Sequence, residues 1–155
     1  MPVDVGAAAP DFTLVNQDRE PVTLNSFRGT PVVLAFFPGA FSGTCTAELC
    51  TVRDRLAALN GAPAQVLGIS VDSFFTLKAF RDAYGLTFPL LCDFNKEVIR
   101  LYDVFNEDMI GLKGLAKRAV FVLDRAGVVR YREVLDDARL EPDYDAVFRT
   151  LAQVG

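Results

Sequence analysis

Hydrophobic positions along this chain fall into runs and stripes of distinct period. Pro31–Phe37 and Gln65–Val71 are apolar almost without interruption, which suits strands buried on both faces near the centre of an α/β sheet. From about Thr44 to Leu59 the pattern changes: Leu49, Val52, Leu56 and Leu59 recur three or four apart, the stripe of a helix lying on a core. Arg53, Asp54 and Arg55 then face solvent. Asp72 and Ser73 offer caps for a second helix carrying Phe74, Leu77, Ala79 and Phe80, with Gly85 as its stop. Phe88–Cys92 is short and apolar, and Pro89 marks an edge strand or a strand start. Asn95–Tyr102 reads as a short helix, and Asp103–Lys117, with Gly111 and Gly114, as a loop. Ala119–Leu123 and Val128–Val134, joined by Asp124–Gly127, form a hairpin. Glu141-Pro142-Asp143 opens a last helix with Tyr144, Val147, Phe148 and Leu151 on one face.

The first thirty residues are less strongly patterned. Met1 to Ala9 reads as an extended arm. Phe12–Val15 and Val22–Leu24 flank the turn formers Asn16–Arg19 and predict an N-terminal hairpin. Asn25-Ser26 reads as the cap of one helical turn that ends at Gly29. Strands and helices in this order predict an α/β fold with a central mixed β-sheet flanked by helices. With 155 residues and no repeat, linker or low-complexity stretch, the chain reads as one domain, 1–155.

Composition narrows the function. The net charge is -4, which leaves no basic footprint for nucleic acid. No apolar run approaches the roughly 18 residues of a membrane span. The first basic residue is Arg19, so the start lacks the charged region of a signal peptide, and the expectation is a cytoplasmic protein. The three cysteines are too few for a disulfide scaffold, and there is no histidine. That excludes Ser-His and Cys-His catalysis and histidine-ligated zinc. The cysteine positions do not match a zinc site, and no metal or cofactor is expected. Any reactive thiolate must be stabilised by a helix N-terminus or by Lys or Arg.

Cys45 fits that requirement. The strand-like run empties into a loop carrying Pro38, Gly39 and Gly43, and a helical pattern begins at once with Cys45 in its first turn. There the sulfur meets backbone N–H groups without intrahelical partners and the positive end of the helix dipole, both of which favour thiolate.

Pro38-x-x-x-Ser42-x-x-Cys45, followed by Glu48, resembles the P-x-x-x-T/S-x-x-C signature of the peroxiredoxins. Ala40-Phe41-Ser42-Gly43 is similar to the AhpE-type and type-five branches, and Cys50 to the peroxiredoxin Q (bacterioferritin comigratory protein) branch. Ala9–Phe12 and Lys117–Asp124 also fall where that family has counterparts, so the resemblance covers nearly the whole chain. It implies a thioredoxin-like fold and a thiol peroxidase that reduces hydrogen peroxide or organic hydroperoxides. In that reading Cys45 is the nucleophile and becomes a sulfenic acid. Ser42 hydrogen-bonds the peroxide, Thr44 offers a backbone N–H, and Pro38 shields the thiolate. Arg118 lowers the thiol pKa and holds the peroxide. Glu48 orients the arginine, or is simply a first-turn acid favoured by the dipole. Ser42 stands where most of the family has threonine.

The resemblance also implies that Cys50 resolves the sulfenic acid as a disulfide, or that an external thiol does so while Cys50 packs in the core. In an intact helix, residues five apart have Cα atoms roughly 8–9 Å apart, whereas a disulfide needs less than about 7 Å. A Cys45–Cys50 bond therefore requires the helix start to unwind. Cys92 reads as a small buried residue at a strand end, with a lesser role as alternative resolving thiol. Phe37, Phe41 and Phe105 are expected to line an apolar pocket mouth, with Phe41 a substrate contact. The implied partners are a thioredoxin-, glutaredoxin- or low-molecular-weight-thiol reductant and a second copy of the chain in a homodimer, with a monomer as the alternative. A disulfide oxidoreductase lacks its C-x-x-C here. A redox-regulated sensor or chaperone-like module using Cys45 as a switch is the remaining rival.

Overall fold

The computed structural model describes residues 3–59 and 64–155; Met1 and Pro2, the start of the expected arm, lie outside the described residues. Among these the elements run β1 (Thr13–Asn16), β2 (Pro21–Thr23), a 3₁₀ turn at Leu24–Phe27, β3 (Val32–Phe36), α1 (Gly43–Ala57) and β4 (Gln65–Ser70). They continue with α2 (Phe74–Tyr84), β5 (Leu90–Cys92), α3 (Glu97–Leu101), β6 (Phe105–Asn106), β7 (Leu115–Ala116), β8 (Arg118–Leu123), β9 (Val129–Leu135) and α4 (Tyr144–Val154). Seven strands form one sheet in the order β2-β1-β5-β4-β3-β8-β9, and β6 pairs with β7 apart from it. The β3–β4 and β4–β5 pairs are parallel, and the β3–β8, β8–β9, β1–β2 and β1–β5 pairs antiparallel. The sheet is mixed, with β3 inside it.

Strand alternation divides the core in two. Val32, Leu34 and Phe36 of β3 and Ala119, Phe121 and Leu123 of β8 pack with Val98 and Ile99 of α3 and with Tyr102. The alternate residues Val33, Ala35, Val120 and Val122 pack with Leu49 and Val52 of α1, Leu77 and Phe80 of α2, and Val147, Phe148 and Leu151 of α4. Because β3 is covered on both faces, all five of its residues are buried, and its sequence is continuously apolar rather than alternating. Cys45 belongs to the α1/α2/α4 side.

The pattern reading holds for the N-terminal hairpin, the two central strands, the β8–β9 hairpin and the main helices. The differences have local causes. Asn25 does not cap the 3₁₀ turn, which begins one residue earlier; its backbone N–H donates to Asp11 Oδ1, and Ser26 Oγ donates to the Thr23 carbonyl. Ala79 is exposed, since α2 meets the core through Leu77 and Phe80 alone. Ser73 is the cap of α2, accepting from the Thr76 N–H, while Asp72 serves another purpose. Pro89 precedes β5, which is an interior strand between β4 and β1. The stretch read as a loop contains the short β6–β7 pair. Most of the expected arm is tied down: Ala8 bridges Val128, and Val3 and Ala9 are buried. Among the described residues, no helix is long and apolar enough to cross a membrane.

Gly68 lies where β4 passes between β3 and β5, and a Cβ there would sit 2.7 Å from Leu90 Cδ2 with Phe37 and Phe88 close behind. Leu90 is fully buried and cannot swing away. Gly68→Ala is expected to destabilise the fold by about 1–3 kcal/mol through overpacking, measured by denaturant unfolding. Leu90→Val in the same chain should recover part of the loss.

Candidate active site

Three backbone features bring the site together. Phe37 N–H donates to the Ile69 carbonyl at 3.0 Å, so the chain leaves β3 at the end of β4. The loop Pro38–Ser42 then turns into α1. Phe41, at φ 68, makes the turn in a conformation that bulky residues rarely adopt. Ser42 caps α1 in extended conformation; its carbonyl accepts from the Thr46 N–H at 2.9 Å and from Thr46 Oγ1 at 2.8 Å. Its hydroxyl makes no cap bond and donates instead to the Gly39 carbonyl. The first-turn N–H groups, among them those of Thr44 and Cys45, are therefore not taken by a capping side chain.

Arg118 arrives from the sheet. Phe36 pairs with Ala119 in the β3–β8 register, so Arg118 sits one step beyond the end of β3. It alternates with Val120 and Val122, so it points to the α1 side. A slip of one residue would send it to the other face. Its Nη1 donates to Cys45 Sγ at 3.2 Å and to Glu48 Oε1 at 2.7 Å, and its Nη2 donates to the Ala138 carbonyl at 3.0 Å. Relative exposure is 0% for Cys45, 0% for Glu48 and 1% for Arg118. One guanidinium thus faces two buried acids. Burial pushes the Glu48 carboxyl up to about 7, with Arg118 pulling it down and the Glu141 and Glu133 carboxylates adding to the rise. Arg118 is held further towards its charged form by Glu48 and Cys45 against its own desolvation. Glu48 Oε2 and Arg118 Nε lack hydrogen-bond partners among the described residues, which fits a site whose charge is shared and incompletely compensated.

A cleft of about 590 Å³ opens onto this cluster. Pro38, Ser42, Thr44 and Arg118 line one side, Asn106, Asp108, Met109 and Ile110 a second, and Asp136–Arg139 a third. The structure therefore assembles Cys45, Ser42, Thr44, Pro38, Glu48 and Arg118. It does not bring the expected aromatic rim there. Phe37 is fully buried beneath the loop, and Phe41 turns to α2, with ring centroids 5.1 Å from Phe80 and 6.2 Å from Tyr84. Phe105 lies under Arg100, 4.1 Å from its guanidinium carbon. The apolar lining comes from Pro38, Met109 and Ile110 instead. The Asn106–Ile110 and Asp136–Arg139 segments carried no periodicity that would have marked them.

Cys45, Cys50 and Cys92 are all free thiols. Cys50 is half-buried within the unbroken helix α1, so the helical geometry keeps it from Cys45. Cys92 ends β5, two strands from β3, about 10 Å across the sheet. It is half-buried rather than buried as expected, and opens on an apolar hollow with Phe74, Phe75 and Phe94. Among the described residues no acidic, cysteine or histidine cluster has a metal-binding arrangement.

The family model described as "AhpC/TSA family" matches residues 5–132. Alkyl hydroperoxide reductase E of Mycobacterium tuberculosis is 44% identical over 135 residues, covering 85% of this chain and 86% of that protein. Chloroplastic peroxiredoxin Q of Oryza sativa subsp. japonica is 40% identical over 129 residues, covering 83% of this chain and 58% of that protein. The crystal structure of peroxidoxin BcpB from M. tuberculosis superposes with a TM-score of 0.86 at 28% identity, covering 99% of each chain.

The buried carboxyl gives a pH test with a defined sign. Glu48 ionises near 4.5 when unfolded and near 7 when folded. Between these values the folded chain binds the additional proton, so its contribution to stability is full below 4.5 and declines as pH rises towards 7. Glu48→Gln should flatten the stability–pH curve across this interval by on the order of 2 kcal/mol, read from denaturant midpoints at a series of pH values. Parallel curves for the two proteins would place the Glu48 ionisation elsewhere.

Proposed function

The chain belongs to the AhpC/TSA family, the peroxiredoxins, and on that premise we propose that Cys45 is its peroxide-reducing thiolate, with Arg118, Ser42, Thr44, Pro38 and Glu48 as the surrounding machinery. The protein is a thiol-dependent peroxidase with a thioredoxin-like fold. It acts on hydroperoxides and draws reducing equivalents from a thiol. The observation that carries the residue assignment is the Arg118 Nη1 group, bonded to both Cys45 Sγ and Glu48 Oε1, three buried side chains at the floor of the cleft.

The sulfur attacks the terminal oxygen of the hydroperoxide. An S–O bond forms, the O–O bond breaks, and the remaining oxygen leaves as alkoxide or hydroxide and takes up a proton. Cys45 becomes a sulfenic acid. Charge moves from sulfur to the departing oxygen, so donors fixed around both atoms stabilise the transition state more than the ground state. Arg118 supplies a permanent cation with several donors. The Thr44 and Cys45 N–H groups supply the rest; the Ser42 hydroxyl, whose proton goes to the Gly39 carbonyl, offers an oxygen that accepts from the peroxide O–H, and Pro38 lines the cleft and shields the sulfur. Met109 and Ile110 give the cleft an apolar side suited to an alkyl substituent.

In the second half of the cycle Cys50 attacks the sulfenic acid, forming the disulfide and releasing water, after the first turns of α1 unwind. An external thiol is the alternative. Two equivalents of a low-molecular-weight or protein thiol restore the dithiol. This reading puts the protein in the cytoplasm, where thiols are kept reduced. The sensor or chaperone-like reading has no observation in its favour. The homodimer is supported by exposed apolar side chains around the cleft: Ile110 is 91% exposed and Leu112 54%.

Intact mass after one equivalent of hydrogen peroxide tests the cycle. The wild type is expected to lose two hydrogens, mapped to Cys45–Cys50, and Cys50→Ser to retain one added oxygen on Cys45. Added oxygen on Cys45 in both makes the enzyme dependent on an outside thiol, and an unmodified Cys45 in both rejects the assignment. Sedimentation of Ile110→Asp tests the dimer: a wild-type dimer becoming a monomer supports the apolar face, and a wild-type monomer removes it.

A further inference from the structure

The β4–α2 junction carries a hydrogen-bonded group that the helix-capping pattern does not require. Ser73 already caps α2. Asp72, immediately before it, turns back towards the reactive loop, where its Oδ2 accepts the Ala40 N–H at 2.8 Å. The same oxygen accepts from Ser70 Oγ at 2.7 Å, and the Asp72 N–H donates to Ser70 Oγ at 3.2 Å. Ser70 is fully buried in β4, so it fixes the carboxylate from the rigid sheet. The loop has a second anchor on the neighbouring helix, where the Phe41 ring lies 5.1 Å from Phe80 between ring centroids. Between these anchors the chain holds Phe41 at φ 68, a conformation an aromatic residue does not keep unaided. One residue further on, Ser42 begins α1 and sets where Cys45 stands.

We infer that Ser70 and Asp72 are positioning residues for the peroxide reaction: the carboxylate pins Ala40 and so keeps the first turn of α1 folded around Cys45. The pin opposes the unwinding that attack on oxidised Cys45 by another thiol requires. Loosening it therefore acts in opposite directions on the two halves of the cycle. Oxidation slows, because Cys45 spends less time against Arg118. Capture of the sulfenic acid quickens, because the sulfur is more often accessible. The kinetic part of this inference rests on the assignment of Cys45 above; the structural part does not.

The test combines hydrogen exchange of the reduced protein with stopped-flow oxidation by hydrogen peroxide. Asp72→Ala is expected to raise exchange at amides 42–50 about tenfold, the scale of one charge-assisted hydrogen bond, and to lower the oxidation rate while shortening the sulfenic acid lifetime. Asp72→Asn keeps an oxygen that accepts from Ala40 and should restore both properties to within about threefold. Ser70→Ala, nearly isosteric, should move them in the Asp72→Ala direction by less. Unchanged exchange at 42–50 in Asp72→Ala overturns the inference. So does faster exchange spread equally over β4 and α4, or an Asp72→Asn protein that behaves like Asp72→Ala. Wild-type Cys45 inert to peroxide would reject the functional assignment, while the exchange data would still decide the role of the pin.

Discussion

A guanidinium buried to 1% exposure stands between a thiol and a carboxyl that are both closed to water. Taking a cation out of water is costly unless nearby groups replace its hydration. Here the replacements are Cys45 Sγ, Glu48 Oε1 and the Ala138 carbonyl. They come from one helix and a loop, so Arg118 couples the sheet, α1 and the Asp136–Arg139 segment. Burial keeps the Glu48 carboxyl well above its ordinary range in spite of Arg118, with the Glu141 and Glu133 carboxylates adding to the rise. In the proposed cycle, a sulfenic acid or a disulfide at Cys45 weakens the hold of the sulfur on Arg118 and leaves the guanidinium to Glu48.

The absence of histidine makes this arrangement necessary. An imidazole beside a thiol can hold its proton and charge in one group. In the proposed site those tasks are divided between a helix terminus, which contributes partial charges, and Arg118, which contributes a full one. Neither can serve as a proton acceptor at neutral pH. Glu48, its carboxyl pushed up by burial to about 7, is the carboxyl group of the cluster that can exchange a proton near neutral pH.

In the proposed cycle, stability and turnover pull against one another in α1. Its first two turns bury Cys45, Glu48 and Leu49 completely. Unwinding them separates the ion pair and exposes a leucine whose burial is worth about 2 kcal/mol. Yet the same turns lack a capping side chain, and the loop before them holds a strained Phe41. The reactive segment is packed firmly at its buried face and held lightly at its end, which suits a sulfur that must be enclosed in one step and reached in the next.

The fold class was readable because β3 and β4 are continuously apolar while α1, α2 and α4 carry helical stripes; burial on both faces and on one face leave different periods in the chain. The place of Cys45 at a helix start was readable too, because a strand, a glycine-containing loop and a helix start are local features. Arg118 was identified only through its resemblance to a family position, since nothing in its neighbours distinguishes it from other arginines. The β3–β8 register decides that it meets the sulfur. Glu48 left two readings open, and its bond to Arg118 across the sheet–helix interface favours the orienting one. Asp72 was legible only as a second candidate cap beside Ser73, one more than the helix needs. Its bond to Ala40 spans thirty-two residues. Phe41 was misplaced because sequence proximity to Cys45 does not say which way a residue at positive φ points. Spacing along the chain determines which groups share one turn or one face; which elements meet is decided only when the sheet closes and brings distant residues within a hydrogen bond of each other.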